Sequence, residues 1–255
     1  MKNLLVIARF ELRKLFFTRR GLLSLIAFTL VWSVLLRYLI YNATNYLLDE
    51  NAFRLISGLI GDSGVQHLLN WPVAEFAVFW VLAIYLFPAF CIVLTADQTA
   101  SDRSRGTLRL INLRATRDQI FFGRFVGQML VQAVLVLAVV ASVILLAVFR
   151  DQSLLLDSLS LSLLTGVNLL IVLLPYTALM ALVSTISKSA RQATIYAVIL
   201  WLAFAILVNW LAPMLPQLDF IKWVMPGSQV SEVLQKQSWD TLSLAHIPLI
   251  QSLIL

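Results

Sequence analysis

Apolar positions in this chain come in long unbroken runs, not at the spacing of a half-buried helix. Five runs reach the roughly 20 residues that a helix needs to cross the hydrocarbon core of a bilayer: 21–41, 76–95, 125–149, 161–183 and 193–212. A sixth run, 242–255, is too short to span at a rise of ~1.5 Å per residue. The pattern therefore predicts an all-α integral membrane protein. It forms one transmembrane domain over residues 1–255, a six-span helical bundle whose sixth span is incomplete in this chain. The segments 42–75 and 213–241 are too apolar for free linkers. They read as outer segments, with short helices lying on or dipping into the outer leaflet. Trp71, Trp210, Trp223 and Trp239 read as interfacial anchors.

Composition supports the same class. The chain is 60% hydrophobic and 13% charged, whereas soluble domains hold about 45–50% apolar and about 25% charged residues. The single Cys91 lies in an apolar run, so there is neither a disulfide framework nor a cysteine metal cluster. The net charge of +6 marks membrane-flanking loops rather than nucleic-acid binding. The N-terminus is not a cleavable signal: the apolar run 4–8 is shorter than the roughly 7–15 residues of a signal core. With the N-terminus inside, segments 1–20, 96–124 and 184–192 hold 14 Lys and Arg, and the rest of the chain holds 5. Positive charge stays cytoplasmic, so the reading is a multi-pass protein of the bacterial inner membrane with a cytoplasmic N-terminus.

Two basic segments carry the chemistry. On a helical wheel of residues 2–20, Lys2, Arg9, Arg13 and Arg20 share one stripe beside an apolar face of Leu5, Ala8, Leu12, Leu15 and Phe16. This predicts an amphipathic interface helix against the inner leaflet, its basic side toward lipid phosphates or an acidic partner. The loop 96–124 holds Arg103, Arg105, Arg109, Arg114, Arg117 and Arg124. Gly106 should break the helix leaving the second span, and Thr107 should cap a short helix over 108–113. Thr116 and Gln119 form a capping box that starts the next helix. Gly123 and Gly127 then make a GxxxG, which admits close approach of another backbone.

The loop resembles the cytoplasmic coupling segment of ABC-2 type transporter permeases. The matching residues are Asp102, then Gly106-Thr107-Leu108, Leu110-Ile111, Arg114-Ala115-Thr116-Arg117 and Gly123-Arg124. Arg114 stands where that family has proline, and Arg124 where it has lysine. The N-terminal stretch around Glu11 is similar to the family's interface helix, and Pro226 to a proline before its sixth span. The resemblance implies a permease subunit that pairs with a second copy or a paralogue and binds a separate ABC ATP-binding subunit. ATP and Mg would sit in that subunit, with no cofactor in this chain, and the complex would drive export of a substrate. It further implies that Asp102, Arg105, Gly106, Thr107, Arg109, Arg114 and Arg117 dock the ATPase, with Arg9, Glu11 and Arg13 on the interface helix. Arginine suits bidentate pairing with an acidic partner; the competing reading is that these arginines hold topology and bind membrane lipids.

No P-loop motif G-x-x-x-x-G-K-[ST] occurs, so the chain has no catalytic site of that kind for ATP. The second to fifth spans contain no Asp, Glu, Lys, Arg or His, whereas ion-coupled transporters need such groups. Gln128, Gln132 and Asn168 read as interhelical hydrogen-bonding residues, Pro88 and Pro175 as kink sites, and Arg37 as a snorkelling cation. His67 and His246 are isolated, so no metal site is expected. The alternative is an integral membrane enzyme acting on lipids, which would have to use Asp97, Asp102 and Asp118. A non-transporting anchor or sensor would lack the soluble domain such proteins usually carry.

Overall fold

A hydroxyl ends the first helix. In the computed structural model, which describes residues 2–42, 44, 71–96, 99–100, 102, 106–206, 225–230, 232 and 239–255, α1 spans Lys2–Phe17 and α2 spans Arg19–Val34. Thr18 between them is extended, and its Oγ1 accepts the Gly21 amide at 3.1 Å, an N-cap for α2. The elbow is tight: a Cβ on Gly21 would lie 2.3 Å from the Leu15 carbonyl oxygen. α2 continues as a π-helix over Leu35–Ile40. There the Arg37 guanidinium lies 5.1 Å from the Tyr41 ring centroid, a cation–π contact.

Among the described residues the further helices are α3 (Ala74–Thr95), α4 (Thr107–Asn112), α5 (Arg117–Arg150), α6 (Leu155–Ile186), α7 (Ala190–Ile206) and α8 (His246–Ile254). Short 3-10 turns occupy Gln152–Leu154 and Trp239–Leu244. No strand occurs among the described residues. Among the described residues, four helical stretches are long and apolar enough to cross a membrane: Gly21–Ile40, Ala74–Thr95, Arg117–Arg150 and Gln152–Ile186. The fifth expected span is described as the 17-residue α7, and 207–212 lie outside the described residues. The sixth apolar run is not one helix but a 3-10 turn followed by the nine-residue α8. Pro248 explains the late start. It has no N–H to give and would clash with a helical carbonyl four residues back, so it is tolerated only in a first turn.

α6 is the central helix and packs against α3, α5, α7 and α8. α2 is peripheral, with 17% of its apolar window buried against 44–67% for the other three spans. An aromatic cluster holds α2 to α3: the Trp32 and Phe87 rings meet tilted, centroids 5.1 Å apart, and Phe28 meets Phe87 edge-on at 5.8 Å. At one end of the bundle the start of α3 is fastened to the end of α5. Arg150 Nε donates to Glu75 Oε1 at 2.5 Å and its Nη2 to Oε2 at 2.9 Å. Glu75 is buried, and neither partner stood out in the sequence. At the other, basic end α5 outruns α3 by roughly 18 Å at ~1.5 Å per residue.

Residues 225–230, from the expected outer segment 213–241, lie alongside helix interiors. The Trp201 indole N–H donates to the Pro226 carbonyl at 3.3 Å, Gln251 Nε2 donates to the Met225 carbonyl at 2.8 Å, and Gly227 abuts the Tyr176 hydroxyl. Trp201 is about 16 Å along α7 from Ala190. Irregular backbone at such depth is tolerated where protein satisfies its polar groups, as these donors do.

Candidate functional site

The overhanging first turns of α5 organise the basic end. Its start follows the expected capping box: Gln119 N donates to Thr116 Oγ1 at 3.3 Å and Thr116 N to Gln119 Oε1 at 3.4 Å. One buried face of α5 then carries Gly123, Gly127 and Gln128, and α1 lies on it. A Cβ on Gly127 would sit 2.8 Å from the Glu11 Cβ and 3.1 Å from the Ala8 Cα, and one on Gly123 would sit 3.0 Å from the Ile7 Cβ. The GxxxG therefore seats a helix of its own chain. α1 buries Ala8, Glu11 and Leu15 and leaves Leu5 and Phe16 exposed. That face is rotated from the purely apolar one expected, because the glycine groove takes the side of the helix that includes Glu11.

Arg124, Gln128 and Gln132 recur every fourth residue on that helix, and all three are buried. Gln128 Nε2 donates to Glu11 Oε2 at 3.1 Å, and Lys14 Nζ lies 3.9 Å from the same oxygen. Arg124 Nη2 donates to Asp102 Oδ2. Gln132 is fully buried, and neither of its amide atoms has a partner among the described residues. In the fourth span, Asn168 Nδ2 bridges to Thr241 Oγ1 at 2.7 Å.

Asp102 joins the loop to α5. The Thr107 hydroxyl donates to its Oδ1 at 2.9 Å, opposite the Arg124 bond. Burial by itself would raise the Asp102 pKa. The Arg124 charge and hydrogen bond, the Thr107 hydroxyl and the more distant Lys14 outweigh it and hold the carboxyl below its ordinary value. Thr107 is thus not the cap that its position suggested. It is the first residue of α4, the N-cap is Gly106, and no side chain caps that end. Gly106 has φ +73°, a left-handed conformation that glycine adopts without strain.

The expected docking residues fall into distinct environments. Asp102 and Thr107 are partly buried and bonded to each other. Gly106 is exposed at the turn, Arg114 is exposed just after α4, and Arg117 is exposed as the first residue of α5. Arg109 lies within α4, its side chain outside the described set, and Arg105 lies outside the described residues. On α1, Arg9 and Arg13 are exposed, whereas Glu11 is buried against α5. The pairs Glu11–Gln128 and Asp102–Arg124 join residues 117 and 22 positions apart. No sequence periodicity links them; only the shared four-residue spacing of Arg124 and Gln128 hinted at one polar face. Of the acids a lipid enzyme would need, Asp102 is engaged by Arg124 and Thr107, Asp118 is exposed and Asp97 lies outside the described residues. Among the described residues no three His, Cys, Asp or Glu are grouped to hold a metal ion.

The comparison with curated proteins gives no match. A family model described as ABC-2 family transporter protein matches residues 5–244, from within α1 to the turn before α8. Both the buried α1–α5 seat and the Asp102–Thr107–Arg124 clasp fall inside that range. The family is the transmembrane component of such transporters, not itself an ATPase, and generally works with an ABC ATP-binding subunit. The chain belongs to the ABC-2 family of transporter proteins.

Proposed function

We propose that this chain is the permease subunit of an ABC exporter, with α4 as the element that a cytosolic ATP-binding subunit pushes. The basic end faces the cytoplasm of a bacterial inner membrane, the partner carries ATP and Mg, and a second permease copy or paralogue completes the pathway. The observation carrying this reading is the clasp. α4 is six residues long, too short to be stable alone, yet Asp102, Thr107 and Arg124 tie its start to α5. Force applied to α4 therefore reaches α5 directly, and α1 moves with α5 through the glycine seat and Glu11–Gln128. The exposed Gly106, Arg114 and Arg117, with Arg105 and Arg109, form the docking set, and Asp102 and Thr107 position α4 from within the chain.

A tagged pull-down from native membranes in mild detergent tests this. Wild type should recover an ATP-binding-cassette subunit, and a Gly106→Pro/Arg109→Glu double variant should not. Recovery of no such subunit with wild type, or equal recovery with both, overturns the coupling assignment.

A further inference from the structure

We infer that the α1–α2 elbow holds one anionic phospholipid, drawn from the leaflet at the basic end of the bundle. A cleft of about 550 Å³ opens there between the elbow, the last turns of α3 and the face of α5 that carries Gln128 and Val131, within the roughly 300–1,000 Å³ of small-molecule sites. Its walls are two chemistries kept apart. Val93 and Leu94, two residues and one residue before the end of α3, contribute apolar surface together with Phe10 and Val131. Val93 is 63% exposed, so this side opens toward the acyl region. Lys14 and Arg19 flank the elbow itself, with the exposed Thr18 hydroxyl between them.

Charge selects the headgroup. The two carboxylates on the cleft, Glu11 and Asp102, are already engaged by Gln128 and Lys14 and by Arg124 and Thr107. Two cations, Lys14 and Arg19, line the same cleft; Asp102 is neutralised by Arg124, which is not on the cleft wall, and Glu11 lies beside Lys14, so the exposed Arg19 is left with no ion pair among the described residues. A phosphate at Arg19 and Lys14 with an acyl chain along Val93 and Leu94 satisfies both halves of the cleft; a cationic amphipath does not. The position matters mechanically, because the elbow is where α1, seated on α5, meets the peripheral α2. A lipid wedged there sets the angle between them.

The test measures retained lipid, which is independent of any ATPase partner. The full chain is reconstituted in vesicles of phosphatidylcholine and phosphatidylglycerol at roughly three to one, re-extracted in mild detergent, and its retained phospholipid is quantified by class. Wild type should retain phosphatidylglycerol enriched several-fold over the vesicle ratio. Arg19→Gln should abolish the enrichment by removing the phosphate contact. Val93→Trp should abolish it by filling the acyl wall with every charge intact. Lys188→Gln, a basic-end cation that does not line the cleft, should leave it unchanged. Enrichment that survives in both cleft variants, or falls equally with Lys188→Gln, means bulk attraction to the basic surface and overturns the site. Displacement of the lipid by millimolar inorganic phosphate means an anion site without acyl recognition and overturns it as well.

Discussion

Asp102 shows how a loop carboxylate can be engaged within its own chain. In the sequence it is an acidic residue beside six arginines, open to any partner. In the fold its two carboxylate oxygens are divided between Arg124 and Thr107. Its folded pKa lies below its unfolded value, so its contribution to stability is present above the unfolded value of about 3.9 and is lost as pH falls below it. Asp102→Asn should therefore cost about 1.5–3 kcal/mol, the range for a charge-assisted hydrogen bond, throughout the neutral range. In denaturant titrations of the detergent-solubilised protein, the wild-type advantage over this variant should shrink steadily below about pH 4. An advantage that persists unchanged at lower pH would show that the carboxylate is not what stabilises the clasp.

At the scale of elements, two glycines of the same composition class do opposite work. Gly127 lies where α1 crosses α5, with the Glu11 Cβ and Ala8 backbone in the space a side chain would take. Gly127→Val should overpack that crossing and destabilise by about 1–3 kcal/mol, and a cysteine pair designed across α1 and α5 should crosslink less. Gly166, within α6, meets nothing within 4 Å of a built Cβ. There Gly166→Ala should stabilise by about 0.5–1 kcal/mol from helix propensity alone. Thermal melting of both variants beside wild type checks the pair, and melting temperatures shifted in the same direction would refute the seat. The second-span helix ends at Thr95, well before Gly106, which N-caps α4 instead. The capping box and the four long helices were legible because each depends on neighbours within a few residues or on a long apolar run. The rotation of α1 was not. Its wheel favours an apolar face through Leu5 and Phe16, but a groove on a helix more than a hundred residues away selects the face bearing Glu11.

Across the whole molecule, the two ends of α5 are fastened by different means: the Glu75–Arg150 pair at one end, and the α1 seat with the Asp102 clasp at the other. Glu75→Gln removes the buried bidentate acceptor of Arg150, whose own side chain stays partly exposed, and should destabilise by about 1.5–3 kcal/mol. A Glu75→Gln/Arg150→Leu double variant should recover part of that loss. A double variant as unstable as the sum of both single variants would show that the two side chains act independently. Hydrophobic run length alone pointed to an all-helical membrane protein, because an unsatisfied backbone cannot stay in hydrocarbon and the long runs can satisfy their own hydrogen bonds as helices. The resemblance to the ABC-2 family was visible in the sequence because the residues that carry it lie within one short segment, 102–124. Only the tertiary structure decided which charges are spent internally and which helix fills the GxxxG groove. It also decided how deep residues 225–230 sit. Those outcomes depend on pairs such as Glu11–Gln128 and Glu75–Arg150, whose separation in sequence carries no signal and whose energy exists only once packing has removed both partners from water.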